Sequence, residues 1–424
     1  MRRLRTRGQP SAFETVGRAA TGRLPHALLL TGPPSVGKTT LAVDLAATLL
    51  CGATEVDERP CRRCRRCRGC RLVDAGNHPD LHWLRPSGPG GQVGIGQVRD
   101  LASALALLPV EGGARVAIVE AAHRLNEDAQ NALLKTLEEP PAGVTILLVA
   151  DDEERLLPTV RSRCARLRLG PVGIREIEAL LADLGLADPP TAARLSRIAI
   201  GRPGLAIAYA RSPEALTARG EIARLLLDLV EERPWRRLAA VRELMASAGS
   251  ASDALVRAQA GGDPTAGPTM TGLDGRAGGR GRRQPASTAR SAPTVPAARM
   301  EAAEAPSDTD VAGAEQPSEA VAAQEDAAGR TPAAARRRAA AWLVDAWRDV
   351  TRDLALVARG DARALRMPHL LEEYQRTARM IDPAALNGFM ARCVRAGEHL
   401  DANVSPELEL DVLVLAWPRS AAAA

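Results

Sequence analysis

The stretch GPPSVGKTT, residues 32–40, fills every fixed position of the pattern G-x-x-x-x-G-K-[ST]. Such a loop chelates phosphate. Gly32 and Gly37 let the backbone N–H groups of Ser35, Val36, Gly37 and the residues that follow, through Thr40, turn toward phosphate oxygens. Lys38 reaches the terminal phosphates and the Thr39 hydroxyl can ligate magnesium. Pro33 and Pro34 lack N–H groups but stand early in the loop, before the residues that do most of the cradling. Further on, the apolar run RVAIVE ends in a single acid, Glu120, followed by Ala121. In P-loop ATPases a strand of this kind usually delivers two adjacent carboxylates. Glu120 can assist a bound magnesium, but an alanine at 121 cannot polarise an attacking water. The loop therefore predicts ATP/Mg2+ binding, with hydrolysis in doubt.

A second set of reactive residues is sulfur. Five of the seven cysteines crowd into residues 51–70, namely Cys51, Cys61, Cys64, Cys67 and Cys70. In a reducing compartment this points to metal rather than disulfides. Thiolates two residues apart can turn onto one tetrahedral ion, and four of them close a structural zinc site. Five are offered, so one is spare. Arg68, Arg71 and the other arginines interspersed here would favour thiolates, and otherwise read as a solvated basic surface. His78 and His82 follow on a loop and a strand and read as structural, and Cys393, on an apolar helical face, reads as core. A third candidate is Arg163, in TVRSRC, placed just beyond a sheet edge. From there it could reach a neighbouring subunit's nucleotide, or form a surface ion pair. An arginine supplied in trans raises phosphoryl-transfer rates by roughly 10³–10⁵.

Composition tempers these readings. The formal charge is only +5 over 424 residues, which demands no nucleic-acid partner. Of 56 basic residues only Lys38 and Lys135 are lysine, so arginine is abundant everywhere and no single one stands out by type. No segment has the roughly 18 apolar residues of a membrane span, and no signal peptide follows the basic N-terminus, which implies a cytoplasmic chain with no membrane partner.

The elements that must position these groups alternate between strand and helix over residues 26–170, giving an α/β module with a parallel sheet covered on both faces. HALLLTG, RVAIVE and GVTILLVA are buried strands. Asn126 caps a helix that Pro140 and Pro141 stop. From residue 171 onward the pattern is all-α. The sequence divides into a P-loop module over 1–170 carrying the cysteine insertion 51–70, a small helical lid over 171–204, and a helical domain over 205–248 and 334–418. Residues 249–333, rich in Ala, Gly, Pro, Ser and Thr, read as a disordered low-complexity insertion. The last helix begins at Ser405-Pro406, a cap followed by proline at the first helical position.

Taken in order, LPHALLLTGPPSVGKTT, CRRCRGCRLVDAGNHPD, NALLKTLEEPP and RSRC resemble the bacterial clamp-loader subunits of DNA polymerase III, over residues 20–245 well and 334–417 more loosely. The resemblance implies an AAA+ module, a three-helix lid, and a helical collar through which five subunits form a hetero-pentamer. Two branches of that family contend, the gamma/tau ATPase motor and the delta-prime subunit. Four departures from the motor favour delta-prime. Motor subunits have Asp-Glu where this chain has Glu120-Ala121. They place a Thr or Asn sensor where it has Asp151-Asp152, which would repel a γ-phosphate. They carry an inward arginine near Gly201-Arg202-Pro203-Gly204, and a longer leader before the P-loop strand. The delta-prime resemblance implies a stator whose own ATPase is absent or weak. Its Arg163 would act as an arginine finger toward the adjoining motor subunit, with gamma/tau, delta, the sliding clamp and primed DNA as partners of the complex. It also implies Cys51, Cys64, Cys67 and Cys70 as the zinc ligands, with Cys61 spare. A stand-alone zinc-containing nucleic-acid binder is the remaining alternative.

Overall fold

The structure is a computed structural model that describes residues 4–52, 67–86, 92–111, 113–260 and 333–420. Cys61 and Cys64, and most of the 249–333 stretch, lie outside the described residues.

Five parallel strands form one sheet: β1 (Ala27–Thr31), β2 (Leu81–Leu84), β3 (Arg115–Val119), β4 (Val144–Ala150) and β5 (Ala165–Arg168), in the order β2-β3-β4-β1-β5. β1 and β3 are buried at every position, so apart from Thr31 and Arg115 at their ends they read as apolar runs rather than alternating ones. Alternate side chains still feed two different layers. Leu29, Ala117, Val119, Ile146 and Leu148 pack under α4 (Ile95–Leu105) and α5 (Glu127–Glu138). Leu28, Leu30, Val116, Ile118 and Leu147 pack under α1 (Pro10–Ala20) and α2 (Lys38–Leu49). Helix α1 precedes the P-loop strand. It begins with proline at its first position, and the chain before it is tied to α2 by Asp44, which accepts hydrogen bonds from the Thr6 N–H at 3.0 Å and hydroxyl at 2.8 Å.

Register decides what meets at the C-terminal edge of this sheet. Thr31 of β1 pairs with Ala150 of β4, and Val119 of β3 pairs with Leu148. The residues that leave these strands are Gly32, Glu120 and Asp151, so the P-loop, the lone acid and the aspartate emerge side by side. This is where open α/β sheets bind ligands.

Beyond α3 (Arg68–Asp74) and the short α6 (Pro158–Ser162), the remaining helices form two further cores. The lid consists of α7 (Ile174–Asp183), α8 (Pro189–Ala199) and α9 (Pro203–Arg211). Its expected boundary at 204 falls inside α9, whose Ala206, Ala208 and Tyr209 belong to the lid core. Pro203 begins that helix rather than ending the lid, because proline fits the first helical turn, whose N–H groups have no intrahelical acceptor. The collar is built from α10 (Pro213–Asp228), α11 (Pro234–Ala260), α12 (Ala333–Ala358), α13 (Leu371–Ala378), α14 (Pro383–Asp401) and α15 (Pro406–Ala416). Helix α11 runs on to Ala260, past residue 249 where the composition shifts. Its Ala251, Ala254 and Leu255 are buried in the lid core, so small side chains that look uncommitted in sequence serve close helix packing. Near the facing ends of α11 and α12, Asp253 pairs with Arg338 at 3.4 Å.

Lid and collar share a buried charge network. Asp349 on α12 takes Arg219 on one carboxylate oxygen and Arg366 on the other, and Arg219 also donates to the Tyr209 hydroxyl of α9 at 3.0 Å. Trp342 donates to the same hydroxyl at 3.2 Å. Removing one partner of such a buried set typically costs about 3–5 kcal/mol, since it strands a charge away from water. Among the described residues no helix is long and apolar enough to cross a membrane.

Candidate functional site

The P-loop leaves β1 at Gly32, where a Cβ would stand 2.2 Å from the Leu169 carbonyl oxygen, so only glycine fits. It turns through Ser35 and Gly37, both at positive φ, into α2, whose first N–H groups are capped by no side chain. This backbone suits a phosphate oxygen at a helix N-terminus.

Lys38 does not extend into that space. Its ammonium is almost fully buried and donates to the Gly32 carbonyl at 2.7 Å and the Pro33 carbonyl at 2.5 Å, and it pairs with Asp151 Oδ1 at 2.7 Å. An ammonium has three donors, and all three are taken. Burial pushes the Lys38 pKa down, and the hydrogen bond and charge of Asp151 oppose that shift. Here the Lys38 ammonium engages the loop's own carbonyls and a carboxylate. Nor do both aspartates face the pocket. Asp152 accepts from the Glu154 N–H at 2.9 Å and pairs with Arg155 at 3.4 Å, leaving Asp151 alone at Lys38.

The other groups are also engaged. The Thr39 hydroxyl donates to Glu120 Oε1 at 3.3 Å, and Arg85 Nε donates to Glu120 Oε2 at 3.2 Å. Ala121 follows with φ of 51°, in the left-handed region, and brings no functional group. His123 Nδ1 accepts the Asp151 N–H at 3.2 Å, and burial pushes this imidazole below its ordinary pKa. From the lid, the Gly204 N–H donates to the Ser35 carbonyl at 3.0 Å. A Cβ at 204 would come within 3.2 Å of Ser35, so the glycine permits close approach of lid to loop.

Arg163 lies elsewhere. It caps the end of α6 with its side chain about one-third exposed, pairs with Glu138 of α5 at 2.6 Å and donates to the Thr159 carbonyl at 3.0 Å. Glu138 comes from the NALLKTLEEPP stretch, so two motifs read separately meet as one ion pair. Beside Arg163, Cys164 is buried and its thiol is pushed up to about 11 by desolvation, which makes it core rather than nucleophile. Cys393, also buried, is pushed up to about 12 for the same reason.

The cysteine cluster draws on the end of α2 and the start of α3. Cys51, Cys67 and Cys70 bring their sulfurs within 4.8 Å of one another, with Cys51 and Cys67 at 4.0 Å. Sulfurs sharing a tetrahedral zinc at about 2.3 Å stand about 3.8 Å apart, so the three fit a common ion. Cys67 caps α3 and its sulfur accepts the Cys70 N–H at 3.4 Å, an arrangement that suits a thiolate. Gly69 lets this turn approach α2, since a Cβ there would stand 2.7 Å from the Leu50 carbonyl oxygen. The nearby His78 is buried and accepts the Asp80 N–H at 3.1 Å through Nδ1.

Residues 8–173 match the family model described as DNA polymerase III, delta subunit. The delta-prime subunit of DNA polymerase III from Escherichia coli K12 is 34% identical over 233 residues, covering 55% of this chain and 68% of that protein. The delta-prime subunit from Pseudomonas aeruginosa is 41% identical over 143 residues, covering 33% of this chain and 42% of that protein. A tau subunit from Salmonella typhimurium is 35% identical over 185 residues, covering 42% of this chain and 28% of its own length. The chain thus spans between two-fifths and about two-thirds of the delta-prime relatives it matches here.

Proposed function

Because this chain belongs to the family of DNA polymerase III delta-prime subunits, we propose that it is the stator of a clamp loader, supplying Arg163 in trans to a motor subunit's nucleotide. The observation that carries this reading is the contrast between the chain's two phosphate-directed cations. Lys38 has its three donors filled from within, and the position after Glu120 is an alanine, which offers no carboxylate to polarise an attacking water. Arg163 stands at the surface, paired with one exposed carboxylate. Such a pair contributes less than about 1 kcal/mol, so a nucleotide phosphate on a neighbouring subunit can take the guanidinium over at little cost. In this reading the partners are motor and delta-type subunits, with the sliding clamp and primed DNA reached through the assembly.

The test is the ATPase of the reconstituted assembly carrying Arg163→Ala. A fall of roughly 10³-fold or more is expected at the site this residue completes. An unchanged rate would reduce Arg163 to a surface ion pair. ATP turnover by the isolated chain, stimulated by clamp and DNA, would favour the motor reading instead.

Cys51, Cys67 and Cys70, with Cys64 as fourth ligand, would hold a structural zinc that fixes the start of α3 against α2. About one zinc per chain is expected by metal analysis. Cys67→Ala should lower that content, whereas Cys61→Ala should not; equal loss from both variants would overturn this ligand set.

A further inference from the structure

We propose that the P-loop pocket is specific for a nucleoside diphosphate, and that Asp151 is the residue that excludes the triphosphate. This goes beyond the stator reading and does not rest on it, since it concerns the chain's own pocket in isolation.

Two parts of a P-loop do separable work. Backbone N–H groups of the loop and the following helix hold the inner phosphates, the lysine and the metal bridge the second and third, and the residue after the neighbouring strand faces the third alone. The first part is intact here. Ser35 and Gly37 adopt the positive φ values that turn successive N–H groups one way, and no side chain caps α2. The second part already contains an anion. Asp151 follows β4, which lies in register beside β1, and places Oδ1 2.7 Å from Lys38 Nζ. A carboxylate at that distance does to the ammonium what a terminal phosphate oxygen does elsewhere. With Gly32 and Pro33 taking its other two donors, Lys38 has none left for a third phosphoryl group.

A γ-phosphate entering here would have to part Lys38 from Asp151 and then sit beside the displaced carboxylate. Like charges in direct contact repel, and the buried Lys38 between them has no donor left to offset it. A diphosphate ends before this point. Its magnesium would still find the Thr39 hydroxyl, which lies 3.3 Å from Glu120 Oε1, and Arg85 already offsets part of the Glu120 charge. Discrimination thus comes from a repulsive element built against the wrong ligand, with the attractive backbone cradle shared by both.

The experiment is equilibrium binding of a fluorescent ADP analogue to the full chain with magnesium, competed by ADP or ATP. ATP should compete at least about tenfold more weakly than ADP. Asp151→Asn removes the charge and keeps the shape; it should bring the two nucleotides to within about threefold by tightening ATP, with ADP little changed. The Asp151 side chain is 44% exposed, which leaves room for the change, and Asp151→Thr serves as an independent second variant. Asp152→Asn, beside the pocket but turned away, should keep the wild-type ratio. The proposal is overturned if wild-type chain binds no ADP analogue or binds ATP as tightly as ADP. It is equally overturned if both Asp151 variants keep the wild-type ratio, or if Asp152→Asn shifts it as far as they do.

Discussion

The P-loop pocket and the Arg163 corner each hold one cation that the proposed function assigns to phosphate, and the two sit in opposite electrostatic settings. Lys38 is 4% exposed, with two carbonyls and a carboxylate around it, and the difference lies in the cation, since that carboxylate, Asp151, is 44% exposed. Arg163 is 36% exposed and its carboxylate partner, Glu138, is 48% exposed. Desolvation makes the first set of interactions strong and hard to exchange; solvent makes the second weak and easily exchanged. Lys38 is therefore enclosed by its own loop, whereas Arg163 is left at the surface with a partner it can release, as the proposed role in trans requires.

Three measurements can break or sharpen that contrast. Lys38→Ala should have the largest effect on the isolated chain. It leaves the Gly32 and Pro33 carbonyls without their donor and Asp151 without its cation, a loss of about 1–3 kcal/mol in urea unfolding. Arg163→Ala in the same assay should move stability by no more than about 0.5 kcal/mol. Similar losses from both would erase the distinction between them.

A second, smaller effect should appear with pH, again on the enclosed side. His123 in the pocket, and His78 and His82 around β2, are all held below their ordinary pKa, burial being the first cause in each case. A depressed folded pKa means that the unfolded chain binds the proton more tightly. The stability due to these neutral imidazoles is therefore complete above about pH 6.5 and is lost as pH falls through the lower folded values. Thermal unfolding should shift down between pH 7.5 and 5.5, and His123→Asn should shallow that slope. A slope that His123→Asn leaves unaltered would remove His123 as a contributor.

The smallest effect belongs to Glu138→Gln. It should cost less than about 1 kcal/mol in the isolated chain, because the pair it breaks is exposed. In the reconstituted assembly it should change ATPase far less than Arg163→Ala does. If Glu138→Gln proved as damaging as loss of the arginine, the carboxylate would be holding the guanidinium in its working position rather than merely resting against it.

Features that depend on a few neighbouring residues were legible in the sequence. The P-loop with its flanking strand and helix, the Asn126 cap that accepts the Ala129 N–H at 2.9 Å, and the Ser405-Pro406 start of the last helix are all local. What escaped reading is long-range or ambiguous in composition. Lys38 meets Asp151 only because β1 and β4 are neighbours in a particular register, which no local pattern reveals. Glu138 and Arg163 were each visible inside motifs, but their pairing was not. Pro203 can stop one helix or start another, and only packing of Tyr209 into the lid decides. Residues 249–260 share the small-residue composition of a flexible segment, yet Ala251 and Ala254 are buried because a narrow helix face admits close neighbours. The Arg219–Asp349–Arg366 network was hidden by the abundance of arginine itself.

The Asp253–Arg338 pair has a practical consequence for handling the chain. It brings together the region where α11 ends at Ala260 and the region where α12 begins at Ala333. The described end of α11 and the described start of α12 therefore lie close together, and they make a single root. A root of this kind is a natural docking port for an engineered payload. A fluorescent domain or an affinity handle exchanged for residues 261–332 would report on the assembly without breaking into either helix.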